Sequence, residues 1–114
     1  MKKQNESLNR FISNNFQNKN NKYTLIIGET PSKGARSPKL WNRAYKKLNI
    51  EIKMFPADVK KEKLRFLIDY LRSDKLFVGS AVTAPYKEQV LKYLDFISDE
   101  AKSIGSINTI KKNR

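Results

Sequence analysis

The chain has 114 residues, enough for one domain and not for two. It contains no Cys and no His, which excludes disulfides, Cys/His zinc sites and any Ser-His or Cys-His nucleophile pair. Acid–base chemistry is left to Lys, Tyr, Asp and Glu. A net charge of +13 suits anionic partners. The lysines are nevertheless spread along the chain and do not alternate with stacking aromatics, which argues for solvated faces and against nucleic acid.

Residues 1–21 are polar and include the low-complexity stretch "NNFQNKNN". They have no apolar h-region and no small-residue cleavage site, so they are not a secretory signal. No run of about 18 apolar residues exists, which excludes a membrane span. The lack of Cys fits a reducing, cytoplasmic setting. This stretch reads as an N-terminal arm ahead of a domain over residues 22–114. Leu8, Phe11, Ile12 and Phe16 fall at near-helical spacing, so a docking helix over 6–16 and a frayed arm are both open readings.

From Tyr23 the pattern sharpens. "YTLIIG" (23–28) predicts a buried strand, and "ETPSKGARSP" (29–38) a loop. "SPKLWNRAYKKLN" predicts a helix with Ser37 as N-cap and Pro38 at its first position; Leu40, Trp41, Ala44, Tyr45 and Leu48 form its apolar face. "IEIKMFPA" (50–57) alternates as a strand. Asp58 can cap the following helix, whose Leu64, Leu67, Ile68 and Leu71 point inward. "KLFVGSAV" (75–82) predicts a third strand, "PYKEQVLKYLDFI" (85–97) a helix, and "SINTIKK" a last strand. Between the last two, "SDEAKSIG" (98–105) predicts a short helix capped by Ser98 and stopped by Gly105. Asp95 and Glu100 read as solvated helix charges. The alternation implies an α/β fold with a mainly parallel sheet, in βαβαβα order, covered by helices on both faces. Ligands of such sheets sit outside the carboxyl ends of the strands. The 29–38 loop, the 83–87 turn and Asn108 are expected to meet there.

In "VGSAVTAPYKEQV" (78–90), Lys87 stands in the first turn of the predicted helix, where the helix dipole opposes a cation. With half-desolvation in a cleft, both effects favour the neutral amine, poised to exchange a proton. The bland alternative is a surface lysine at a helix start. Thr83 and Ser37 read equally as helix caps, and Asn108 as a turn residue.

The stretches "YTLIIGETPSKGARSPKLWNRAYKKLNI" and "GSAVTAPYKEQVLKYLDFISDEAKSIGSINTI", in that order, resemble the N-terminal substrate-binding domain of shikimate dehydrogenase. The pair V-T-x-P-x-K and I-G-x-x-N-T carries most of the specificity. That family reduces 3-dehydroshikimate to shikimate with NADPH, in aromatic amino acid biosynthesis. The resemblance implies that Lys87 is the catalytic lysine, working with an aspartate. It further implies that Thr83 and Asn108 hydrogen-bond the ring hydroxyls, and that Ser37 is one of two loop serines on the substrate carboxylate. The expected partner is an anionic cyclic hydroxy acid such as shikimate.

This sequence departs from the family pattern at three places. The loop is one residue longer, so the first serine is Ala35 unless Ser32 replaces it, and the asparagine of N-V-T is Ala81. The four glycines, Gly28, Gly34, Gly79 and Gly105, do not space as G-x-G-x-x-G. NADP, implied by the resemblance, is therefore expected on a domain outside this chain, as is the aspartate of G-x-N-T-D. The expectation is a chain incomplete for catalysis alone: a fragment, one subunit of two, or a non-catalytic binding module of the same fold. No metal site is expected.

Overall fold

Strand β1, Lys22–Gly28, is apolar without alternation, and every residue from Tyr23 onward is buried. A strand hidden on both faces needs neighbours on both edges, and it has them. In the computed structural model of the chain, which describes residues 2–19 and 21–112, β1 lies between β2 (Ile52–Asp58) and β3 (Phe77–Val82). Both neighbours run parallel to it, in registers that pair Thr24 with Met54 and Leu25 with Ser80. The short strand β4, Thr109–Lys111, adds antiparallel to β3 and places Thr109 opposite Ala81. The sheet order is β2-β1-β3-β4, mainly parallel as expected.

The helices are α1 (Lys2–Asn9), α2 (Ser37–Lys47), α3 (Leu64–Ser73) and α4 (Asp99–Ile104). Helix α3 follows its sequence pattern, burying Leu64, Leu67, Ile68 and Leu71 along one stripe. That stripe belongs to one core cluster with Tyr23, Leu25, Ile27 and Phe77 of the sheet. The N-terminal segment docks into the same core. Leu8, Ile12 and Phe16 are buried, and the Phe16 ring stands 4.9 Å from that of Phe55 and 5.2 Å from that of Tyr23. Its helix ends at Asn9, earlier than the spacing suggested, and the residues that follow pack without regular structure.

Helix α2 departs from expectation. It buries no residue, and Leu40 and Leu48 are 57% and 68% exposed. It meets the sheet through its polar side instead. The Asn42 side chain donates to Met54 O and accepts from Met54 N, at 3.1 and 2.7 Å, and the Tyr45 hydroxyl lies 3.1 Å from Thr24 Oγ1. Asn14 does the same further along β2, donating to Pro56 O and accepting from Asp58 N. Two asparagines therefore satisfy outward backbone groups of an edge strand, which would otherwise be open to pairing with another chain. Pro56, with no N–H to offer, suits that edge. Helix α4 forms as read. Ser98 Oγ accepts from Ala101 N at 3.1 Å, and Gly105 closes the helix in the left-handed region at φ 81°.

Candidate functional site

The carboxyl ends of β1, β2 and β3 are tied together by backbone hydrogen bonds. Val59 N donates to Gly28 O at 2.9 Å, and Thr83 N to Ile27 O at 2.8 Å. Val82 N donates to Asn108 O, and Ile107 N to Lys87 O, both at 2.8 Å. The last two bonds hold the segment before β4 against the turn after β3. Thr83, Lys87 and Asn108 are thus gathered at one edge of the sheet although they are far apart in sequence. The 29–38 loop reaches the same edge through Gly28. A Cβ placed on Gly28 would lie 2.3 Å from Thr83 Cγ2 and 3.4 Å from Pro31 Cδ, so both side chains close on the space the glycine leaves.

The local geometry differs from the sequence reading at five points. No α-helix forms over 85–97; a 3-10 segment, Gln89–Tyr93, stands in its place. In a helix the Lys87 carbonyl would accept from Leu91. Here it accepts from Ile107, and Leu91 N bonds to Glu88 O at 3.2 Å. Lys87 is exposed and outside any α-helix, so the two influences expected on its charge, a helix end and burial, are both missing. Thr83 has no helix to cap; its carbonyl accepts from Tyr86 N in a turn. Ser37 is the first residue of α2 rather than its N-cap; that position is Arg36, which makes no side-chain cap. Asp58 caps nothing. It ends β2, buried, and its carboxylate accepts from Ser32 N at 2.9 Å and from Ser32 Oγ.

Around the site, Thr83 and Ser37 are half-buried, and Lys87 and Asn108 are exposed. Among the described residues Lys87 makes no ion pair. Beneath it Tyr86 is buried and donates its hydroxyl to Val59 O, anchoring the turn to the end of β2. Burial, then the charges of Glu29 and Glu62, push the Tyr86 phenol above its ordinary value. Asp95, read as a solvated charge, is exposed and pairs with Arg72 at 3.1 Å. A cavity of about 710 Å³ lies elsewhere, between α3, residues 93–98, α4 and β4. Asn108 lines it, while Thr83, Lys87 and Ser37 do not. Asp58 and Ser32 were missed as a pair by the sequence reading; the only available clue was that an acid ending a strand falls on the ligand edge of such a sheet.

The family of shikimate dehydrogenase substrate binding domains matches residues 26–110, most of the chain and all of this sheet edge. The chain belongs to that family. It is 49% identical to the shikimate dehydrogenase (NADP(+)) of Clostridium beijerinckii over 85 residues, 75% of this chain and 31% of that protein. Its fold is similar to the crystal structure of shikimate dehydrogenase 1 from Peptoclostridium difficile, with a TM-score of 0.75 and 38% identity. That likeness covers 81% of this chain and 33% of the other. The Thermus thermophilus enzyme, solved in complex with NADP(H) and shikimate, matches with a TM-score of 0.74 and 28% identity, over 80% of this chain and 34% of the other. The chain thus spans about a third of the length of the shikimate dehydrogenases it matches.

The NADP that such relatives carry does not fit the residues present here. Gly28 leads into a 3-10 segment, Pro31–Lys33; Gly79 lies within β3 against the Ile110 carbonyl; Gly34 and Gly105 close short helical segments. None of these forms a glycine-rich turn at a helix N-terminus that could cradle a pyrophosphate. Among the described residues there is also no acidic cluster able to hold a metal ion, and no helix long and apolar enough to cross a membrane.

Proposed function

We propose that residues 22–114 are the substrate-binding part of a shikimate-dehydrogenase-type oxidoreductase, working in the cytoplasm on an anionic cyclic hydroxy acid such as shikimate. The observation that carries this reading is the gathering of Thr83, Lys87 and Asn108 at the carboxyl edge of a sheet that matches the family from 26 to 110. The Thr83 hydroxyl and Asn108 amide can bond neighbouring ring hydroxyls. Lys87 offers a cation with three donors, suited to orient a ring oxygen and to hold a proton there. Ser37, at the start of α2, would donate to the substrate carboxylate. The net charge of +13 draws such a ligand in. NADP and the partner aspartate belong to residues beyond these, in the same polypeptide or in another subunit. A second reading, a binding module without catalysis, is favoured by Ala35 and Ala81 standing where the family pattern has polar residues.

Shikimate titration with amide chemical-shift mapping tests the proposal. Saturable shifts are expected at 34–38, 80–87 and 106–109, with Lys87→Ala weakening affinity about tenfold or more, the size of a lost charged hydrogen bond. If Lys87→Ala, Thr83→Ala and Asn108→Ala each bind as tightly as the parent chain, the site is elsewhere and the reading fails.

A further inference from the structure

We propose that Asp58 is a positioning residue that sets the polarity of the 29–38 loop. By accepting the hydrogen bond of the Ser32 hydroxyl, it leaves Ser32 Oγ an acceptor for a ligand hydroxyl and leaves the ligand carboxylate to Ser37. This rests on the substrate-binding reading above.

Asp58 is 6% exposed at the end of β2, on the edge where the ligand is held. Its carboxylate accepts both the Ser32 N–H, at 2.9 Å, and the Ser32 hydroxyl. An ionised carboxylate has no proton to give, and a serine hydroxyl has one. In this pair the hydrogen bond runs from Ser32 to Asp58, which leaves Ser32 with lone pairs alone. Ser32 is an exposed residue, so a ligand can approach it from solvent. A ligand hydroxyl can donate to those lone pairs. A ligand carboxylate cannot, and it meets the Asp58 charge directly behind. Ser32 therefore does not replace the serine missing at Ala35.

The backbone that carries Asp58 is also held from behind. Asp58 N donates to Asn14 Oδ1 at 2.7 Å, Ser13 N donates to Asp58 O at 2.8 Å, and Asn14 Nδ2 donates to Pro56 O at 2.8 Å. This brace comes from residues outside the 26–110 family match. Pro31, next to Ser32, shares the hollow over Gly28 with Thr83, which places the pair at the rim of the proposed site.

The test compares shikimate with cyclohex-1-ene-1-carboxylate, which keeps the acid and lacks every ring hydroxyl. Both are titrated against the full chain, Ser32→Ala and Asp58→Asn, with amide spectra confirming that each variant is folded. Ser32→Ala is expected to lose about tenfold for shikimate and nothing for the hydroxyl-free acid. Asp58→Asn can donate to Ser32 Oγ and free its proton toward the ligand. It is expected to shift the preference for shikimate over the bare acid downward by about tenfold. A preference unchanged in both variants, with shikimate still shifting Thr83, Lys87 and Asn108, overturns the Asp58 proposal alone. Should Asp58→Asn not fold, Ser32→Ala decides the question. If shikimate shifts none of these residues in the parent chain, the substrate reading and this inference fall together.

Discussion

Gly28→Ala should break both the fold and the site, and a second substitution should repair the first effect. The added Cβ would stand 2.3 Å from Thr83 Cγ2, against about 3.5–4.0 Å for an ordinary carbon contact, so more than about an ångström must be recovered. Thr83 cannot easily supply it. It is β-branched and stiff at χ1, and its backbone is fixed through Thr83 N to Ile27 O at 2.8 Å and through its carbonyl to Tyr86 N. Ala84 O and Pro31 Cδ, both 3.4 Å from the new atom, block the other directions. Overpacking of this kind costs about 1–3 kcal/mol. Thr83→Ser removes the offending methyl and keeps the hydroxyl. Denaturant unfolding of the parent, both single variants and the double variant closes a cycle. The double variant is expected to recover most of the Gly28→Ala loss, a coupling of about 1–2 kcal/mol between neighbouring residues. If Gly28→Ala costs under about 0.5 kcal/mol, or if Thr83→Ser gives no relief, then Thr83 is not pinned over Gly28 and the closure of the 29–38 loop on the 83–87 turn is wrong.

Two further outcomes follow from the core. Phe16→Ala should cost about 3–5 kcal/mol in denaturant unfolding, because a fully buried ring against Tyr23 and Phe55 is removed; a cost near zero would mean that the N-terminal segment does not dock. Stability should also fall with rising pH above about 10. Burial first, then the hydrogen bond to Asp74, holds the Tyr23 phenol far above its ordinary value, and burial raises Tyr86 as well. With folded values raised, the unfolded chain releases its protons first. The stabilisation is therefore intact below about pH 10 and lost above it, by up to about 1.4 kcal/mol per pH unit for each tyrosine. Absorbance at 295 nm should show the Tyr23 phenol ionising only as the chain unfolds. Its titration near pH 10 with the fold intact would contradict the burial.

What the sequence made legible was local. The apolar run of β1, the Leu64-Leu67-Ile68-Leu71 stripe of α3, and the helix between Ser98 and Gly105 each carry their own instruction within a dozen residues. The errors came where a distant partner decides. The 85–97 segment has a helical apolar rhythm, yet Ile107 claims the Lys87 carbonyl and the helix is lost. Helix α2 has an apolar face at the right spacing, yet hydrogen bonds from Asn42 to the open edge of β2 turn its polar side inward. Asp58 looked like a cap because it precedes a helix, and Ser32, from another loop, takes its carboxylate instead. The placement of Thr83, Lys87 and Asn108 at one sheet edge follows from strand order; their surroundings do not, because those depend on burial and on helix ends that only tertiary contacts fix.

The exposure of Lys87 and Asn108 also bears on the two missing polar residues. A hydrogen bond that Ala35 or Ala81 fails to make costs about 1–3 kcal/mol if the ligand group it would serve is sealed away from water. At an edge as open as this one, that group keeps water in place of the protein, and the cost falls toward the net worth of one hydrogen bond, about 1 kcal/mol. Two such absences lower affinity by about thirtyfold, which weakens a ligand such as shikimate without excluding it. The full penalty returns only when the cleft is covered. On the substrate-binding reading proposed above, discrimination among hydroxylated acids is then expected from whatever covers Thr83, Lys87 and Asn108, more than from this edge alone.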